Sequence, residues 1–399
     1  MAPNYSTGFA SLPVAGSTNT VPQRFRRGYI ESWNLVVQRT LPAGFVGTIG
    51  YVGDHFVRQQ VNINYLNAAN FPTSSSPCMP NGQFSPTSGY TGACSFAANQ
   101  TINVGAPCPS TATGNAQGTC YNTGGITFDM PLWSSGYNGL QTQLTRNAGK
   151  NTSVGVVYTY SHAIDYEDNG AGSGSGGTAF NYPAFYRFNR GSAGFDEKHN
   201  LQVWGVYSLP FGPGQMWLNH GLAGDIIGGW QLSGQFSHYS GFPFSVNANS
   251  NTIGGFTPGF GATYAQMTGS YKQLGGHAQS SGSPVSGGKP WFDPTIFSSL
   301  TESAAAPVIP NTGRNEFRGP GNTQTNASLV KDFHIWREAA FQFRFEAFNL
   351  FNHPWLQNPS TTVGSGTFGY MTSFNAFNVA AFGTNAGARQ MQFSGRIKF

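Results

Sequence analysis

The sequence predicts an all-β protein: an antiparallel transmembrane β-barrel, present here as a partial barrel of about nine or ten strands with long extracellular loops. Three observations carry that expectation. Stretches of about ten residues alternate apolar and polar side chains, the period of a strand with two unlike faces. Tight turns and long polar segments take turns along the chain. Charge is scarce, at 9% of residues against roughly 25% in an ordinary soluble protein.

The remaining composition narrows the class. Of 399 residues, 15% are aromatic and 54 are glycine, yet only 39% are hydrophobic. Mean hydropathy is negative, and nothing in the sequence approaches the roughly 18 consecutive apolar residues of a membrane-spanning helix. The net charge of +5 comes from 20 basic and 15 acidic residues spread thinly, with no Lys/Arg run to track phosphates, so no nucleic-acid partner is expected. The start, MAPNYSTGFASLPVAGSTNT, lacks a basic region followed by an apolar core and is not a signal peptide. For a protein of exported character this leads us to expect an N-terminally incomplete piece.

Taken in order, residues 1–28 read as an irregular segment and 29–399 as the barrel portion. Ile30–Thr40 alternates, Leu41-Pro42-Ala43-Gly44 is a turn signal, and Phe45–Val52 returns. A long polar segment from about Asn62 to Ser135 follows. Its cysteines, Cys78, Cys94, Cys108 and Cys120, have no zinc-site spacing and no histidine among them. They are expected as two disulfides in an oxidising compartment, with Cys78–Cys94 and Cys108–Cys120 the preferred of three pairings. Tyr137–Arg146 and Ser153–His162 are strands joined by a turn at Asn147–Asn151. After the polar stretch from Asp165 to about Glu197, Asn200–Leu209 is a strand with a mixed second face because of Trp204 and Val206. Pro210-Phe211-Gly212-Pro213 connects it to Gly229–Tyr239, where Trp230, Leu232 and Phe236 oppose Gln231, Ser233 and Gln235. A third long segment, Gly241 to Asn322, leaves room for short extra strands. Gln324–His334 and Ala340–Phe351 form a hairpin, a fourth long segment follows, and Arg389–Phe399 closes the chain with Met391, Phe393, Ile397 and Phe399 on one face.

The short connections at Leu41, Asn147, Pro210 and Trp336 all fall at one end, and the four long segments at the other. Short periplasmic turns and long outer loops are the habit of outer-membrane barrels. The tryptophans Trp33, Trp133, Trp217, Trp230, Trp336 and Trp355 lie near strand ends, as an interfacial belt requires; Trp204 is the exception.

Six stretches together resemble the C-terminal barrel of TonB-dependent outer-membrane receptors of the Oar-like type. They are YIESWNLVVQRTLPAGFVGTIGYVG (29–53), FDEKHNLQVWGVYSLPFG (195–212), GGWQLSGQFSHYSGFPFSV (228–246), FRFEAFNLFNHPWLQNP (343–359), TFGYMTSF (367–374) and ARQMQFSGRIKF (388–399). The resemblance implies a barrel of about 22 strands filled by an N-terminal plug, and uptake of a scarce, bulky nutrient driven by the TonB complex. Plug, TonB box and regulatory domain have no counterpart in this sequence, so the TonB partnership is expected through a missing N-terminal part. Outer-membrane lipid, the outer-membrane assembly machinery and an unknown extracellular ligand are the other expected partners. The resemblance makes Phe399, with Phe393 and Ile397, an assembly signal. The alternative function is a standalone outer-membrane porin or surface adhesin.

No enzymatic activity and no cofactor are expected: Asp196, Lys198 and His199 have no positioned nucleophile beside them. Asp165, Glu167 and Asp168 could offer oxygens to Ca²⁺, but the glycine and glutamate of an EF-hand loop do not follow, and a solvated loop is preferred. Gln342, Arg344, Glu346, Arg396 and Lys398 are expected on the lumen face, where they contact a plug or substrate or pair across the sheet, with pairing preferred.

Overall fold

The computed structural model describes residues 16–20, 25–63, 84–85, 89–90, 123–148, 152–166, 189–212, 217–218, 220–249, 264–275, 289–299, 310–336, 339–371 and 388–399. Nine strands form one antiparallel meander: β1 (Tyr29–Leu41), β2 (Phe45–Ile63), β3 (Thr123–Ala148), β4 (Thr152–Asp165), β5 (His199–Ser208), β6 (Trp230–Tyr239), β7 (Asn322–Trp336), β8 (Ala339–Phe348) and β9 (Gln390–Lys398). Each pairs with its neighbours in sequence order, and β1 and β9 lie at the two ends of an open sheet. Within the segment read as irregular, Gly16–Thr20 is a short strand that runs parallel to the start of β3.

Registers sort the side chains into two faces, because cross-strand partners share a side. Partner by partner, Phe393 meets Phe345, Phe345 meets Leu329, Leu329 meets Leu232, and Leu232 meets Tyr207. Tyr207 continues through Thr152, Ala148 and onward to Val156 opposite Leu144. Gly47 and Arg39 carry that side to the edge strand, where Val37 meets Ile49 and Leu35 meets Tyr51. The opposite side carries Gln392, Glu346, Ser328 and Ser233 in one row. Alternation read from sequence is therefore one continuous apolar face and one polar face.

Trp204 sits on the polar face because glycine makes room for it. A Cβ on its cross-strand partner Gly155 would lie 2.4 Å from the indole. Trp133 is buried and stacks on Tyr166 at 5.8 Å, so it is an interior residue and not part of an exposed belt.

Three connections are short: Pro42–Gly44, the three residues between β3 and β4, and the two between β7 and β8. In the first, proline sets the entry, and Ala43 and Gly44 take positive φ of 60° and 75°. The fourth, expected as a short connection through Pro210-Phe211-Gly212-Pro213, is longer than the other three. It runs from 209 to 229 and contains helix α1 (Gly221–Ile227). Pro210 and Gly212 follow the strand's end but do not reverse the chain directly. The end assignment nevertheless holds: all four of these connections lie at one end of the sheet and all four long segments at the other.

β2 and β3 pair as far as Ile63 opposite Phe128. At 19 and 26 residues they exceed the roughly 9–11 residues that cross a bilayer, so they project beyond the sheet at the long-segment end. Part of the long segments there folds into a lobe. Pro243–Phe244 pairs with Phe317–Arg318, and Gln266–Met267 with Phe297–Ser298. Phe244, Val246, Ala265, Phe292, Phe297, Phe317 and Phe368 form its buried core.

Candidate functional site

The lobe draws on two connections far apart in sequence, β6–β7 and β8–β9. Backbone bonds stitch them: Trp291 N–H donates to Gly369 O and Asn247 N–H to Thr361 O, both at 2.8 Å. The aromatic rings meet at tilted and edge-on angles, Phe292 with Phe368 at 5.3 Å and Phe297 with Phe317 at 5.4 Å, geometries that aromatic quadrupoles favour. Burial pushes the Tyr271 phenol up to about 12.

Two arginines tie the lobe to the strand ends. Arg314, 2% exposed, donates from Nη1 to Asp165 Oδ1 at 2.6 Å and to the Asn189 carbonyl at 3.2 Å. Arg318 donates to the carboxylate and the carbonyl of Asp196 and to Ser192 Oγ. Asp196, also 2% exposed, accepts from Ala163 N–H at 2.8 Å and shares a 2.9 Å bond with His162 Nδ1. Asn315, in a left-handed conformation at φ 53°, donates from Nδ2 to Ser192 O at 2.7 Å and from its backbone to Ser245 Oγ at 2.9 Å. Burying such charges is costly unless they are paired and hydrogen-bonded. Here each carboxylate meets a guanidinium, and that of Asp196 also a backbone N–H. Beside this network, burial and then the charge of Asp196 raise the Glu197 carboxyl above its ordinary value.

Next to the tie, a cleft of about 550 Å³ opens on the polar face at the lobe end, within the usual size range of small-molecule sites. Asp54, Phe56, Tyr137, Asp165 and Phe195 are among its lining residues. It combines aromatic surface with carboxylate oxygen. That chemistry suits recognition by shape and hydrogen bonding.

The residues singled out from sequence fall as follows. Asp165 is buried against Arg314; Glu167, Asp168 and the four cysteines Cys78, Cys94, Cys108 and Cys120 lie outside the described residues. Among the described residues no cluster of three metal-binding side chains occurs. Gln342, Arg344, Glu346, Arg396 and Lys398 share the polar face of β8 and β9. Four of these five have partners there: Gln342 Nε2 donates to Asp332 Oδ1 at 2.9 Å, Lys398 Nζ reaches Asp332 Oδ2 at 3.0 Å, and Arg344 meets Glu346 at 3.5 Å. Phe393, Ile397 and Phe399 are exposed, Phe399 at 96%. His199 shares a 2.8 Å bond with the Tyr158 hydroxyl, while Asp196 is engaged elsewhere. Sequence reasoning missed Arg314, Asn315 and Arg318. A signal did exist: RNEFR at 314–318 puts two of only 20 basic residues in one short run.

No curated protein matches this chain significantly. Among solved structures, the chain is similar to the ferric citrate transporter FecA in the unliganded form. That match has 13% identity and a TM-score of 0.35, over 92% of this chain and 31% of the other. It is also similar to the outer membrane transporter YddB from Escherichia coli, with 7% identity and a TM-score of 0.43, over 96% of this chain and 34% of the other. The chain thus spans about a third of the length of either protein. The family model described as outer membrane beta barrel domain matches residues 1–392, and with a continuous apolar face, a polar face and strands joined in sequence order, the chain belongs to that family and to the bacterial outer membrane.

Proposed function

We propose that this chain is the barrel and ligand-recognising portion of a TonB-dependent outer-membrane transporter. The apolar face contacts lipid, the polar face lines the path inward, and the lobe with its neighbouring cleft captures an extracellular ligand. Plug and TonB contact belong to a part of the protein outside this chain. Recognition and passage, not bond-making, are its chemistry.

The observation that carries this reading is the tie between lobe and strand ends. Arg314 on Asp165 and Arg318 on Asp196 fix the lobe to the strand ends, with Asp165 itself lining the cleft, and a preorganised surface loses less entropy when a ligand binds. The exposed Phe393 and Ile397 on β9, with Phe399 just after it, are the side chains offered to the assembly machinery.

The test uses the full-length gene in its source bacterium. A deletion strain is grown on a panel of polysaccharides, proteins and chelated iron as sole sources, with and without a protonophore. Growth on at least one source should fail in the deletion strain, return with the intact gene, and not return when 243–318 is removed. Protonophore-insensitive uptake, or passive conductance of the purified protein in planar bilayers, would favour a porin instead.

A further inference from the structure

Lys331 is a cation on the apolar face. Its register partners are Trp230 on β6 and Phe343 on β8, and the rows around it are Leu329, Leu232 and Phe333. A lysine facing lipid is costly near the midplane and less so near the interface. Yet Lys331 is only 3% exposed, whereas Phe333 on the same strand and face is open and Leu329 half-buried. What covers it is helix α1.

The helix ends directly over the lysine. Lys331 Nζ donates to the carbonyls of Asp225 and Ile226, the latter at 2.8 Å. Carbonyls at a helix C-terminus lack intrahelical donors and carry the negative end of the dipole, so a cation is the matching cap. Trp230 Nε1 donates to the same Ile226 carbonyl at 3.1 Å. The ammonium also lies over the Trp230 and Phe333 rings, 5.5 and 4.7 Å from their centroids. These groups pin α1 against the apolar side of the sheet and away from the polar side. Among the described residues its exposed side chains are Asp225, Ile226 at 65% and Ile227 at 48%, with the exposed Trp217 and Leu218 preceding the helix, so one carboxylate accompanies four apolar groups.

We propose that Trp217–Leu218 and helix α1 are membrane-seated, with α1 lying in the interface of the leaflet at the short-turn end. The occupant of its outward surface is phospholipid. Continuity supports that choice. The surface is rooted in the lipid-facing side of an outer-membrane sheet, through residues that themselves face lipid. Trp217, Trp230 and the exposed Trp336 mark the same end, the level where indoles settle in a bilayer, and apolar side chains on a short surface helix enter the headgroup boundary. Lys331 thus acts as a peg: its charge is spent on the helix carbonyls, and the helix removes it from lipid.

The test is photo-crosslinking of the full-length protein in its native outer membrane, with a benzophenone amino acid at position 226. Positions 393 and 392 report the lipid-facing and polar sides. A phospholipid adduct at 226, within about threefold of that at 393 and well above that at 392, is the expected result. Adduct at 393 with none at 226 overturns the proposal. Should the substituted chains fail to insert, hydroxyl-radical footprinting of the unmodified protein in outer-membrane vesicles decides. Trp217 should be oxidised at least fivefold faster after transfer to a short-chain detergent solution in urea than in the vesicle. Equal rates in vesicle and urea place the segment in water and refute a membrane seat.

Discussion

Arg314 Nη1 and Asp165 Oδ1 lie 2.6 Å apart although 149 positions separate them in sequence. The pair is the joint between the outer lobe and the end of β4, and both partners are buried.

Breaking that joint from one side should be severe. Arg314→Ala leaves the Asp165 carboxylate buried without its guanidinium, and removing one member of such a pair costs about 3–5 kcal/mol. Replacing both, Arg314→Met with Asp165→Leu, should recover most of the loss. Limited proteolysis of intact outer membranes reads the difference: the single variant is expected to be cut in the lobe, the double variant to resist.

Glu197 gives a pH-dependent counterpart. Burial and then Asp196 raise its carboxyl above the ordinary value of 4.5. A raised folded-state value means that stability is complete below the ordinary value and is lost as pH rises through the raised one. Glu197→Gln should therefore stabilise the rim at neutral pH and change nothing below about pH 4. Urea midpoints of the folded protein in detergent, compared at the two pH values, check the sign.

Backbone closeness makes a third prediction. A Cβ on Gly241 would stand 1.9 Å from the Gly319 carbonyl oxygen, while a Cβ on Gly366 meets nothing within 4 Å. Gly241→Ala should cost about 2 kcal/mol or more by overpacking. Gly366→Ala should stay within about 0.5 kcal/mol. Both are measurable as shifts in the unfolding midpoint.

Lys331 of β7 and Lys398 of β9, on opposite faces of the sheet, should respond differently. Lys398 pairs with Asp332 at 3.0 Å with both side chains largely exposed, and such pairs contribute about 1 kcal/mol or less. Lys398→Gln should leave the midpoint nearly unchanged. Lys331→Ala should lower it clearly, because the helix carbonyls lose their cap and the sheet loses the cover that cap holds.

Much of the sheet was legible in the chain itself. Period-two alternation is local, so the strands of 29–41, 152–165, 230–239 and 390–398 announce themselves to within a few residues. Turn chemistry is local too: Pro42, Ala43 and Gly44 mark the first reversal. The alternation of short and long connections orders the strands into a meander, since only a sheet paired in sequence order places every tight turn at one end.

The tertiary structure decided what local pattern cannot carry. The connection from β5 to β6 carries a helix that its sequence does not announce, because proline and glycine report a strand's end but not the shape of the path back. Asp196 invited a catalytic reading, and became a structural hub only when Arg318, 122 positions away, was brought to it. Arg314 and Asp165 are isolated charges in sequence and a buried joint in space. Trp133 stands beside a strand like its exposed relatives and is buried all the same. In each case the outcome depends on what packs across from the residue. A repeating pattern can specify the face a side chain takes, whereas its partner is set by how distant segments fold against one another.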